Sequence, residues 1–529
     1  MIKPAILFQN HMILQREKFI SIWGESDPGV TVAITVQGQT AIDIADDKGK
    51  WSVTLEPLYT SFSETVVVTA ENETIEWKDV QVGEVWLAAG QSNMEFFMRY
   101  DVDFPLEKKT CTNHNIRFFD YPEVSYLGQI DEANYGKNFA QWRKATPEDL
   151  EWFSAVAYYF AKEIQGKYDC PVGIVGCNWG GTPACAWMSE EAIREGGGQL
   201  YLDEYQHAIA NLDLASYNVE FENNPASWKV DPFLDTLSDM LMRGMSFPEI
   251  IKTLTGQELD MGTGDFSAQM PVVGPKIETR PCGLYESMLC QVAPYGIRGV
   301  LFYQGESDGD KHPELYETMF PALIRCFRQL WQDELPFLFV QLAPFGQWMQ
   351  CIGESYVTIR EAQHLVSQTV SGTGMAVISD IGMEWDIHPK KKQPVGYRLA
   401  LQAEAKVYGD DILCEAPTLT RLEKSDGKLI MHFENTGKGL YLARNTPDGA
   451  EISQNQLGGL QLLTDDGYLN TAEITARAQG STVILEGVPI QNTSYITAEL
   501  GCTGWYRVNL YNSAKIPARP VRISTEVSV

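Results

Sequence analysis

The chain has 529 residues, with 41 Lys plus Arg against 70 Asp plus Glu, a net charge of −29; apolar types make up 44% and charged types 21%. That composition excludes bulk disorder and, at about 150 residues per domain, leaves room for roughly 3 or 4 domains. The acidic balance excludes a nucleic-acid binder working through a broad basic face.

Residues 1–80 read as short strands. FISIWGES (19–26), VTVAITVQ (30–37), WSVTLEP (51–57) and ETVVVTA (64–70) are rich in Val, Thr, Ile and Trp. Asp-Pro-Gly (27–29) and Asp-Lys-Gly-Lys (47–50) supply turn chemistry between them. This predicts a small antiparallel sandwich. From about Val85 strand-like and helical runs alternate. EVWLAAG (84–90) comes first, and then a helix is predicted with Thr146 as N-cap and Pro147 in its first turn. Leu150, Phe153, Val156, Phe160 and Ile164 form its apolar stripe. Strands follow at Val172–Gly176, Gly299–Tyr303, Phe337–Leu342 and Met375–Ser379. The last three each precede a helix, at 314–331, 356–370 and 395–408. Such alternation predicts a parallel sheet with helices on both faces, and ligands at the C-terminal ends of its strands.

Residues 195–280 interrupt the rhythm with Gly-Gly-Gly, a helical patch near Pro232–Arg243 and GTGDFS (262–267). They read as an insertion over the site. From about Leu413 strands return in KLIMHFEN, STVILEG and SYITAEL, a second β-rich domain. The predicted boundaries are therefore 1–80, 81–410 and 411–529.

No stretch has the continuous apolar length of a membrane helix. Cys170–Ser189 and Leu335–Gly353, the longest uncharged segments, are broken by Gly, Pro and Gln. The start, MIKPAILFQNHMILQREK, lacks the pattern of a secretory leader. Ten scattered cysteines without a Cys-x-x-Cys pair read as mostly buried thiols, with no zinc-type spacing. The expected compartment is reducing and cytoplasmic, unless a leader was removed. No membrane or nucleic-acid partner is expected.

Four segments lie just after predicted strands. Gly90-Gln91-Ser92-Asn93-Met94 puts a serine at a strand-to-helix turn, where its hydroxyl is exposed beside outward N–H groups. It is not the Gly-x-Ser-x-Gly elbow, because position 94 is Met. Asn178-Trp179-Gly180-Gly181-Thr182 has paired glycines that let backbone N–H groups approach an oxyanion. Tyr303-Gln304-Gly305-Glu306-Ser307 offers the Gln304 amide as a donor to the same oxyanion, with Glu306 bracing the loop. Asp386-Ile387-His388-Pro389 places one of seven histidines in a polar loop with a carboxylate two residues away. His388 can take a serine proton if a partner orients its other nitrogen; Asp386 is the local candidate and Asp380 a second. Together these form one acyl-transfer constellation.

These blocks, GQSNM (90–94), NWGGT (178–182), YQGES (303–307) and DIHPKKKQPVGYRLA (386–400), resemble the sialate O-acetylesterases. That family is a branch of the SGNH (GDSL-like) hydrolase superfamily of carbohydrate acetyl esterases. LFQNHMILQR (7–16) and WYRVNLYNSAKIPARP (505–520) extend the resemblance to both ends. It implies an α/β fold: a three-layer SGNH-hydrolase-like domain with a parallel sheet, flanked by N- and C-terminal β-sandwich-like domains. It also implies Ser92 as nucleophile, His388 as base, and an oxyanion hole of the Ser92 and Gly181 N–H groups with the Gln304 side chain. Gln304 stands where the wider superfamily usually has Asn. That superfamily often places Asp three residues before the His, where this chain has Trp385, so Asp386 is the candidate acid and a backbone carbonyl its alternative. Arg99 and Arg360 are candidates for reading a sugar carboxylate, and Asn93, Trp179 and Glu306 for further sugar contacts. No metal or organic cofactor is implied. The expected partner is an O-acetylated sugar. Neutral acetylated glycans such as acetylxylan, a peptidase or lipase of the same superfamily, and a non-catalytic carbohydrate-binding protein are the alternatives.

Overall fold

The computed structural model describes residues 1–71, 73–132, 139–223, 239–245, 249–250, 252–253, 273–348, 351–489, 493 and 495–526. The chain divides into two compact units. The first comprises 1–302 and 318–337, and the second 303–317 and 338–529.

In the first unit Ile20–Glu25 pairs antiparallel with Lys50–Leu55, burying Ile20 and Ile22 opposite Leu55 and Val53. Thr31–Val36 pairs antiparallel with Gln39–Ile44 and with Ser61–Ala70. The next strand, Glu73–Gly90, is a single run of 18 residues whose character changes along its length. Its first part alternates polar with apolar residues and pairs antiparallel with Ser61–Ala70. From Val80 onward every residue is buried, as in a strand covered on both faces. One strand thus carries the chain from the N-terminal β region into the central sheet.

The central strands of this unit run in the order Trp142–Ala145, Asn113–Asp120, Val172–Asn178, Glu73–Gly90, Gly299–Tyr303. Val172–Asn178 is parallel to both of its neighbours, but Trp142–Ala145 is antiparallel to Asn113–Asp120. The sheet is therefore mixed rather than purely parallel, with the antiparallel strand at its edge, where such exceptions fall most often.

The predicted helix at Thr146 also starts elsewhere. Leu150–Trp152 makes one 3-10 turn, and the α-helix is Ala155–Tyr168. Ser154 caps it, its Oγ accepting from the Ala157 N–H at 3.2 Å while donating to the Met94 carbonyl at 2.5 Å. That second bond, across 60 residues, stops the Thr146 turn from continuing as one helix. Within 195–280 the structure has helices Gln199–Ile209 and Leu214–Asn223. Of the predicted patch near Pro232–Arg243 only 239–243 is described; its earlier part and GTGDFS lie outside the described residues.

In the second unit Thr373–Ala376 neighbours the strand Phe337–Val340, and helices Tyr356–Thr369 and Gln393–Lys406 follow their strands as expected. Two four-stranded antiparallel sheets occupy the C-terminal part. One runs Thr418–Ser425, Lys428–Glu434, Thr482–Glu486, Thr475–Gln479; the other runs Gly467–Tyr468, Leu460–Thr464, Tyr495–Leu500, Val521–Glu526. They share one apolar cluster that includes Leu419, Met431, Leu462, Val483, Ile496 and Ala498. The protein is thus α/β with a mixed sheet and several further β-sheets. All ten cysteines are free, seven of them buried. Among the described residues no helix is long and apolar enough to cross a membrane.

Candidate active site

In the first unit strand register brings two of the four loops together. Asn178 is the residue opposite Gly90 in the parallel pair, so both strands end at one level. Gly90 has φ +134, a backbone conformation that favours glycine. The chain then turns through Gln91 into the short helix Ser92–Glu95. Trp179 donates its N–H to the Gly90 carbonyl at 3.2 Å. The Gly180 N–H donates to Glu95 Oε2 at 2.8 Å. A β-carbon on Gly180 would lie 3.2 Å from Ser92 Cβ. Gly180 is therefore packed directly against the serine. Gly181 has φ +74 and is exposed, with no atom within 4 Å of where its β-carbon would stand. Thr182 Oγ1 closes the loop, donating to the Trp179 carbonyl at 2.7 Å and accepting from Trp187 Nε1 at 3.0 Å.

Of the sugar-contact candidates in this unit, Asn93 is buried and Trp179 half-buried. Arg99 is ion-paired with Asp239 and lies over the rings of Trp152 (4.4 Å) and Tyr100 (5.3 Å). Asp239 also binds Arg243 at 2.8 Å. The insertion thus reaches the segment that follows Ser92, where Arg99 and Arg243 share the one Asp239 carboxylate.

In the second unit Gln304 is buried. Its Nε2 donates to Asp308 Oδ2 at 2.5 Å and its Oε1 accepts from the Tyr316 hydroxyl at 3.1 Å, which fixes the amide plane. Its backbone carbonyl accepts from Tyr316 and Gln363. Gly305 follows with φ +140, where a β-carbon would meet Ile359 Cγ2 at 2.9 Å, so both backbone and space require glycine. Glu306 is buried at the start of the short helix Glu306–Gly309.

His388 is 5% exposed, not a surface residue. Asp386 Oδ1 accepts the His388 backbone N–H at 2.8 Å and lies 3.3 Å from Nδ1. Lys390 Nζ sits 2.8 Å from Asp386 Oδ2. The Trp348 ring meets the imidazole edge-on, with centroids 5.4 Å apart. Lys392 is fully buried, its Nζ 5.3 Å from the Tyr303 ring centre, so the third and fourth sequence blocks meet within this unit. Burial holds the His388 imidazolium below the ordinary imidazole range; Asp386 opposes this, and Lys390 and Lys392 add to it. Burial raises Asp386, but His388 and Lys390 outweigh it and hold the carboxyl below its usual range. The second acid candidate, Asp380, is fully buried and committed elsewhere. It takes Arg398 on both oxygens, at 2.6 and 2.7 Å, and the Tyr511 hydroxyl at 3.0 Å.

Arg360 departs from its expected role. It is 1% exposed, and its guanidinium donates to the carbonyls of Ala343 and Thr503 and lies over Tyr506. It ties backbone segments together in the interior.

Sequence reasoning missed Glu95, Asp308, Trp348, Lys390 and Lys392. The Ser92-x-x-Glu95 spacing has the form of a helix-start box, which was a usable signal. Lys390 and Lys392 were hidden in a run of three lysines that reads as a solvated charge cluster. Among the described residues no group of three or more His, Cys, Asp or Glu side chains is placed to hold a metal ion.

By class, the chain has the fold of a carbohydrate esterase. Over 99% of its length it is similar to the crystal structure of a carbohydrate acetylesterase from Xanthomonas citri, with 26% identity, TM-score 0.70 and 99% of that chain covered. Residues 271–400 match the family described as carbohydrate esterase, sialic acid-specific acetylesterase. More particularly, the chain is similar to the sialate O-acetylesterases. It is 26% identical to the sialate O-acetylesterase of Mus musculus over 468 residues (81% of this chain, 78% of the relative). To that of Rattus norvegicus it is 28% identical over 459 residues (79% and 76%).

Proposed function

We propose that the protein is a serine esterase, a carboxylic ester hydrolase that removes O-acetyl groups from sugars, with O-acetylated sialic acid as first substrate. The observation that carries this is the packing of Gly180 against Ser92, with a β-carbon site only 3.2 Å from Ser92 Cβ. That packing sets the backbone of a glycine loop beside a hydroxyl, the arrangement acyl transfer needs. Ser92 Oγ attacks the acetyl carbonyl while His388 Nε2 takes its proton, and Asp386 orients the imidazole through Nδ1. The oxyanion is held by the N–H groups of Ser92 and Gly181 and by the Gln304 amide. The sugar oxygen leaves with the proton from His388. Water, deprotonated by His388, then attacks the acetyl-serine, and acetate departs as Ser92 regains its proton. Trp179 offers the sugar an apolar face, with Asn93 and Glu306 shaping the polar side.

The same reading assigns 81–410 to an SGNH-hydrolase-like three-layer catalytic domain with an insertion at 195–280. Residues 1–80 and 411–529 form flanking β-sandwich-like domains. Ten free cysteines support a reducing compartment, the cytoplasm.

A second substrate reading has its own observation. Both guanidinium groups expected to meet a sialate carboxylate are engaged, Arg99 by Asp239 and Arg360 by backbone carbonyls, which favours a neutral acetylated glycan such as acetylxylan. Acetate release from 9-O-acetylated sialic acid, acetylated xylan and short acyl esters of rising length separates the two. Ser92→Ala is expected to lose turnover to near background and to lose labelling by a fluorophosphonate while keeping its melting transition. Undiminished turnover in that variant removes Ser92 from the mechanism.

A further inference from the structure

Residues 390–392 are three consecutive lysines, yet the structure treats them differently. Lys392 is fully buried, and the Lys390 side chain is only 13% exposed. An ammonium group leaves water at a cost that must be recovered from a partner. For Lys390 that partner is the outer oxygen of Asp386, at 2.8 Å. The inner oxygen accepts the His388 backbone N–H at 2.8 Å and faces Nδ1 at 3.3 Å. Asp386 is itself buried, with its side chain 6% exposed. Its carboxylate is therefore held at both oxygens, by the lysine's charge on Oδ2 and by the His388 backbone N–H on Oδ1.

We infer that Lys390 is a positioning residue for the deacetylation reaction, its ion pair with Oδ2 holding the Asp386 carboxylate so that Oδ1 stays beside His388 Nδ1. The inference rests on the reading of His388 as the base. Two consequences follow. Sterically, a carboxylate held at one oxygen turns about its Cβ–Cγ bond, and Oδ1 moves away from Nδ1. Electrostatically, Asp386 alone beside His388 favours the imidazolium, which cannot accept the serine proton. The Lys390 charge offsets that pull. Among the described residues, the charged groups bearing on His388 include Asp386, Lys390 and Lys392, and the ring packed on it, Trp348, is uncharged.

The test uses the full chain with Lys390→Met and Lys390→Arg, beside His388→Ala, on 4-nitrophenyl acetate. Lys390→Met is expected to lower kcat about tenfold, as loss of a charged hydrogen bond in the transition state does. KM should stay nearly unchanged, and the acid limb of the pH profile should move up by about half a unit. Lys390→Arg should restore kcat and the limb. A Lys390→Met enzyme with wild-type kcat and limb overturns the inference. So does a loss shared equally by Met and Arg with a lowered melting point and no movement of the limb, because that pattern marks mere packing. An active His388→Ala enzyme instead overturns the underlying reading, which keeps the two failures distinct.

Discussion

Gly180→Ala probes the closest contact around the serine with a single methyl group. Gly180 has no left-handed φ, so alanine fits its backbone and the effect isolates the contact. The new β-carbon would meet Ser92 Cβ at 3.2 Å, Glu95 Oε2 at 3.3 Å and Ser92 Cα at 3.7 Å. Carbon atoms settle at about 3.5–4.0 Å, so something must yield by a few tenths of an ångström. Glu95 cannot retreat freely, because it accepts the Gly180 N–H at 2.8 Å. The displacement falls on Ser92 or on the loop. Overpacking of this kind costs about 1–3 kcal/mol, a modest loss for the fold. In a reacting geometry, where about 1 Å of misplacement costs ~10²-fold, it should lower kcat about tenfold. Steady-state hydrolysis of 4-nitrophenyl acetate, paired with a thermal scan, reads both quantities. Gly181→Ala is the control. It meets no atom within 4 Å but sits at φ +74, so about 1–2 kcal/mol of backbone strain should appear without pressure on Ser92. A Gly180→Ala enzyme with kcat within about twofold of wild type would refute the claim that this contact sets the serine's position.

The remaining predictions concern His388 and the two candidate acids. Because burial holds His388 below the ordinary imidazole value, the neutral base persists into mildly acidic solution. The acid limb of kcat/KM should therefore fall below about 6.5, and a limb above that value would contradict the burial argument. The same sign applies to stability. The unfolded chain takes up this proton first, so His388 withdraws stability as pH falls through the unfolded value and on to the lower folded one, readable as a declining melting midpoint. Asp380→Ala should strip the buried Arg398 of its partner and cost about 3–5 kcal/mol of stability while kcat per folded molecule holds. Asp386→Asn should lower kcat as well as the melting point, because it leaves the nearly buried Lys390 ammonium without its carboxylate. Steady-state rates and thermal scans on both variants check the pair.

Much of the fold was legible because burial on two faces leaves a plain mark. Gly299–Tyr303 was bounded correctly since all five residues are apolar or small and are buried. The helix at Ala155 was misplaced for the opposite reason. Thr146, Pro147 and Glu148 carry real start signals, and the Leu150 N–H does donate to the Thr146 carbonyl. The chain nonetheless restarts at Ser154, where Ala155 donates its N–H to Phe96 and Met98 donates to Phe153. Those bonds moor the helix to the loop that carries Ser92, and nothing local to 146–155 encodes them. The mixed sheet was missed in the same way, because an edge strand's direction depends on which strand it meets.

Within the candidate site, the legible part was the set of loops and the illegible part was the choice among chemically equal residues. Asp380 and Asp386 are both aspartates in one polar stretch before the same helix, and composition cannot rank them. What separates them is prior commitment. Asp380 has spent both oxygens on Arg398, 18 residues away, and accepts Tyr511, 131 residues away. Asp386 keeps one oxygen for His388 because Lys390 takes the other. Arg360 follows the same rule, its guanidinium serving the Thr503 carbonyl 143 residues on. A polar side chain's role in this protein is decided by the partner it already holds, and in each of these cases except Lys390 the deciding partner lies too far along the chain for local pattern to reveal.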